Sequence, residues 1–145
     1  MEYRNFGGTY YLKLEPGDEV VGSILRVCAD EGIESATFSG IGGCGEARIL
    51  VFSAETGGFT PECAEGVLEL VSLNGNVFAG ADGARCHHAH ALFSYLEDGE
   101  HRVLAGHLDS ATVRYTAEIE LRPVVGGVIG SRFDPETGTS FWHFA

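Results

Sequence analysis

The stretch CHHAHALFSYLEDGEHRVLAGHL, residues 86–108, holds five of the chain's six histidines. Imidazole is the commonest metal ligand among side chains. Residues on a strand alternate between faces, so His88 and His90 share one face and His87 takes the other. Asp98-Gly99 is a favoured pair for a two-residue type I′ turn. A hairpin folding back there sets His90 directly opposite His107, with His88 one diagonal step away. Opposed Cβ atoms lie roughly 4.5–5.5 Å apart and diagonal ones about 7–8 Å, close enough for three rings to reach one ion at about 2.0–2.1 Å. Three protein nitrogens leave a fourth position open, as in catalytic rather than closed structural zinc sites. The expected cofactor is a divalent metal, zinc first, with iron, nickel or copper also suited to imidazole.

Two acids are candidates for orienting the rings or for general-base duty, Asp109 and Glu118. His101, at the turn, is expected to be solvated, and His87 and His143 to be structural. The opposing reading is that these are half-buried histidines with backbone partners. A β-bulge that turned His107 to the other face would produce that outcome.

The elements that must carry these rings follow from periodicity. TYYLKL (9–14) reads as a strand. Val20, Val21, Ile24, Leu25 and Cys28 form a stripe at helical spacing behind Asp18 and Glu19, and Gly32 ends it, giving one main helix over about 17–31. Cys28 lies on that stripe and is expected in the core. SATFSG (35–40) and residues 46–53 read as strands and 53–66 as loop. Residues 67–73 read as a strand ended by an Asn74-Gly75 turn, with NVFA as a short strand beyond it. Residues 85–96 and 101–108 make the histidine hairpin. TVRYTAEIEL (112–121) alternates apolar and polar residues cleanly. The apolar tail SFWHFA is expected to dock. Gly40-Ile41-Gly42-Gly43-Cys44-Gly45 fits G-x-G-x-x-G, but EARILVFS after it reads as strand. A dinucleotide site needs a helix there, so a tight bend or close packing against another chain is the better account.

Bulk properties narrow the class. The length of 145 residues suits one domain with a real core, and 44% apolar content is ordinary for a globular chain. The 21 glycines imply many turns and close backbone approaches. With 21 acids against nine Lys and Arg, the formal charge of −12 disfavours binding to phosphate backbones. No apolar run reaches the roughly 20 residues of a membrane helix, and MEYRNFGGTYY has no signal-peptide core. A cytoplasmic protein with no membrane association is expected. None of the four cysteines forms a C-x-x-C pair, and reduced thiols are expected.

TYYLKLEPGDEVVGSIL, FSGIGGCGEARI, LELVSLNGNV, HHAHALFS, AGHL and TAEIEL, in that order, resemble the plant and prokaryote conserved (PPC) domain. The resemblance spans about residues 8–122. It implies a single α/β (α+β) domain, a mainly antiparallel sheet with one main helix, assembled as a homotrimer. The family's H-x-H motif matches His88-Ala89-His90. Its GGHL motif matches Gly106-His107-Leu108, with Ala105 in place of the first glycine. In prokaryotic members these histidines are associated with a bound metal, which the resemblance carries to His88, His90 and His107. Three functions follow as expectations. One is a trimeric metal-binding protein whose open site takes a small molecule or anion, its reaction unspecified. Another is a DNA-associated protein, as the family is often labelled, although the chain is acidic and lacks an AT-hook. The third is an interaction module whose purpose is trimerisation.

Overall fold

A computed structural model describes residues 1–80 and 83–144 of the chain. Among the described residues eight strands and one helix run in the order β1 (Glu2–Phe6), β2 (Thr9–Leu14), α1 (Val20–Asp30), β3 (Ala36–Ser53), β4 (Gly58–Ala79), β5 (Arg85–Glu97), β6 (Glu100–Pro123), β7 (Ile129–Asp134) and β8 (Thr139–Phe144). Among the described residues the strand pairings are antiparallel except for one parallel contact, Ala79 with Gly130, that joins β7 to β4. The sheet path is β1-β2-β6-β3-β4-β7-β8, and β5 closes a circuit by pairing with both β4 and β6. This is the α+β architecture expected. Among the described residues no helix is long and apolar enough to cross a membrane.

The helix is set at both ends. The Glu19 carboxylate accepts from the backbone N–H groups of Val21 and Gly22, and also from Ala111 N–H on β6 at 3.2 Å. One side chain therefore caps the helix and ties it to the sheet. At the other end Ile33 N–H donates to Cys28 carbonyl at 2.8 Å and Gly32 N–H to Ala29 at 3.4 Å, with Gly32 at φ +67°. That is the Schellman pattern a left-handed glycine permits. Val20, Val21, Ile24, Val27 and Cys28 face inward against Leu14, Ile49, Phe93 and Leu121 in one continuous core.

The structure corrects several sequence expectations. Residues 58–66, read as loop, are the opening stretch of β4. They pair with β3 from Ser53↔Gly58 to Ala47↔Ala64, and Phe52 and Phe59 stack edge to face at 5.5 Å. Asn74-Gly75 is no turn but lies inside β4, opposite Ser39-Phe38 on β3 and His90-Ala89 on β5. Glycine is needed there because a Cβ would come within 2.4 Å of the Phe38 ring and 2.6 Å of the His88 carbonyl. The G-x-G-x-x-G run makes no tight bend. It lies within β3, interrupted by register shifts, and packs on the backbone of β6 of the same chain. The strands expected at 101–108 and 112–121 are one, β6, with Asp109 left over between the pairs Ile49↔Leu108 and Arg48↔Ser110. The apolar tail forms β8, which pairs with β7, and leaves Phe141, Trp142 and Phe144 largely exposed. Ala145, its last residue, is outside the described residues.

Candidate metal centre

The histidine hairpin folds in the register its turn chemistry dictates. Asp98 and Gly99 take φ of +52° and +79°, as a type I′ turn requires. Pairing runs from Glu97↔Glu100 to His90↔His107. Asn76 stands beside His88 across the β4–β5 ladder. The bulge at Asp109 falls after His107 and so does not disturb the pairing.

The rings of His88, His90 and His107 meet on one face. Their centroids are 5.2 Å (88–90), 5.0 Å (88–107) and 4.3 Å (90–107) apart. One ligand nitrogen from each lies within 4.8 Å of the others, a group able to hold a metal ion. Nitrogens around a tetrahedral ion with bonds of about 2.0–2.1 Å are about 3.4 Å apart. The donor set therefore fits such an ion after small ring rotations. All three donors are neutral imidazoles, so a divalent ion would keep its full charge and an open coordination position.

Two of the rings are biased toward the form that binds metal. Partial burial, then the neighbouring His90 and His87, lower the pKa of His88. Burial, then His90 and His88, lower that of His107, while backbone hydrogen bonding at Leu50 acts the other way. A lowered pKa leaves a ring nitrogen lone pair free for an ion at neutral pH. Backbone spacing also fixes His107. A Cβ on Gly106 would meet Ile49 Cγ2 at 2.7 Å and the Leu50 carbonyl at 2.9 Å, so only glycine lets β6 approach β3 this closely.

The acids considered for ring orientation have other partners. Asp109 is ion-paired with Arg48 at 3.4 Å. Glu118 lines a separate cleft with Tyr11, Lys13, Ile41 and Val71. Among the described residues no hydrogen bond joins either carboxylate to the three rings. His101 is exposed, with its Nε2 2.7 Å from Ser94 Oγ. His87 is half-buried and lines a cavity beside the triad, and His143 is exposed on β8. Sequence reasoning missed Phe59, whose ring stands edge-on to His107 at 4.9 Å, because its strand was read as loop. It also missed Trp142 and Asn76, joined by an indole N–H to Oδ1 hydrogen bond of 3.2 Å.

Comparison with known proteins places the chain in a family. The Plants and Prokaryotes Conserved (PCC) domain matches residues 1–125, and the chain belongs to that family. A metal-containing protein from Archaeoglobus fulgidus shares 32% identity, with 98% of this chain and 96% of that one covered and a TM-score of 0.81. A plant- and prokaryote-conserved protein from Pyrococcus horikoshii is also 32% identical, over 98% and 94% of the two chains, with a TM-score of 0.80. A candidate DNA-binding protein from Ralstonia eutropha is 26% identical, over 97% and 94%, with a TM-score of 0.85. Among curated proteins none matches the chain.

Proposed function

We propose that this protein is a divalent-metal-binding domain, zinc first, whose ion is held by His88, His90 and His107 and whose open position takes a small molecule or anion. The observation that carries this reading is the convergence of three ring nitrogens within 4.8 Å on one sheet face. The metal-containing Archaeoglobus relative supports it. The test is metal analysis of purified protein beside an H88A/H90A/H107A variant. One ion per chain in the wild type and none in the variant is expected. Wild-type protein that stays metal-free after incubation with zinc, iron or nickel would contradict the proposal.

The assembly we propose is a homotrimer. Tyr11, Ile41, Val67, Val71 and Tyr115 are large apolar side chains, between 43% and 57% exposed, on β2, β3, β4 and β6. Clusters of this kind mark association surfaces. Burying them in a trimer removes them from water. A DNA-associated role is the second reading, supported by the Ralstonia relative. The charge of −12 opposes it for the chain acting alone.

A further inference from the structure

The triad borders a cavity of about 400 Å³. His88 and His107 stand on one side of it. Ser131 and Phe133 on β7 and Ser140, Phe141 and Trp142 on β8 form the other. The pairings Ser131↔Trp142 and Phe133↔Ser140 put four of these on one face of the β7–β8 hairpin. That face is turned toward the rings by the hydrogen bond from Trp142 to Asn76, the cross-strand neighbour of His88. The base of the hairpin is fixed by Ile129 N–H donating to Ser35 Oγ at 3.1 Å, at buried residues. Trp142 also borders the adjoining hollow that His88 and His90 line, so it overhangs the triad from both sides. The hairpin lies beyond residues 1–125, the stretch that defines the family.

The lining has a particular chemistry. Among the described residues, a chain with 21 acids places no Asp or Glu in this cavity, and no Lys or Arg either. Nothing there repels an anion, and no side-chain cation competes with the metal for one. The polar groups are hydroxyls, an amide and imidazoles, and Phe78, Phe133, Phe141 and Trp142 supply the apolar lining. A cavity of this size suits a small organic molecule. Aromatic walls favour a ring that can stack offset or edge-on.

We propose that the β7–β8 hairpin is the specificity wall of the metal centre, and that the cavity takes a small aryl carboxylate whose carboxylate reaches the metal while its ring lies against Trp142 and Phe133. This rests on the metal reading above. The ion supplies the charge that holds the carboxylate, and the hairpin selects the ring.

Trp142 is the chain's single tryptophan, so tryptophan fluorescence reports on the surroundings of this one ring. Metal content is measured first, then zinc-loaded protein is titrated with benzoate, cyclohexanecarboxylate and acetate. Fluorescence and calorimetry are recorded in parallel. Benzoate is expected to perturb Trp142 emission and to bind at least tenfold more tightly than acetate, with cyclohexanecarboxylate between them. W142A should bring benzoate to within threefold of acetate at unchanged metal stoichiometry, and W142F should keep most of the preference. Should W142A fail to fold, F133A carries the same expectation. One ion per chain with equal binding of benzoate and acetate, or with the preference intact in W142A, overturns the hairpin's role and leaves the metal site standing. Equal benzoate affinity with and without metal overturns the carboxylate-to-metal contact. Protein that takes up no ion overturns the metal reading, and this inference with it.

Discussion

His90 is the residue on which the site turns. It stands opposite His107 in the ladder and its ring is the nearest to that of His107, at 4.3 Å. H90A leaves two nitrogens that cannot close a three-coordinate face, and metal affinity is expected to fall by about 100-fold or more, beyond the usual loss from an outer-sphere partner. Competition with a chromophoric chelator measures it. The cysteines give a second residue-scale expectation. Cys28 and Cys44 are fully buried, and burial pushes both thiols up to about 11 from 9.0. Above pH 9 the unfolded chain loses these protons while the folded chain keeps them. Stability therefore falls as pH rises from 9 to 11, by about 1.4 kcal/mol per pH unit for each thiol. Denaturant midpoints across that range test the slope, which C28A should halve. In the native state a thiol reagent should modify exposed Cys63 and half-buried Cys86 quickly and the other two only on unfolding. The convergence of the three histidines was legible in the sequence because strand alternation and one turn determine their placement. The oxygen neighbours were not, since whether Asp109 faces a ring or Arg48 depends on a bulge that local pattern does not encode.

At the scale of elements, the histidine hairpin and the helix were readable because their signals are local. The Asp-Gly turn tolerates φ of +52° and +79°, and the helix carries its own apolar stripe and its glycine stop. Asn74-Gly75 misled for the complementary reason. The same dipeptide that makes a turn also supplies a residue without a Cβ, and here the Phe38 ring occupies that space. No signal within a few residues distinguishes the two uses. Residues 58–64 became strand because β3 pairs with them, although Gly58, Pro61 and Glu62 weaken the local preference. G75A should thus cost about 1–3 kcal/mol through overpacking against Phe38, seen as a lower midpoint in chemical denaturation. G99V should cost about 1–3 kcal/mol by straining a left-handed position. It should also weaken metal binding, because the turn sets the ladder that aligns His90 with His107.

The whole molecule joins a closed circuit of long bent strands, a capped helix and a C-terminal hairpin around a metal-competent triad. Sequence order and motifs placed it in its family, yet the cavity between triad and hairpin was invisible, because its walls come from separate strands and meet only through the fold. With a formal charge of −12, the isolated protein should give no gel shift with duplex DNA at micromolar concentration and physiological salt. Light scattering should return three times the chain mass, and V71E should lower it by placing a charge on the exposed apolar face. The most direct test of the account is a crystal grown with zinc and measured on both sides of the zinc absorption edge. It should show one anomalous peak per chain, about 2.0–2.1 Å from a nitrogen of each of His88, His90 and His107. An anomalous map with no peak among those rings, or with the zinc held elsewhere by other residues, would contradict it.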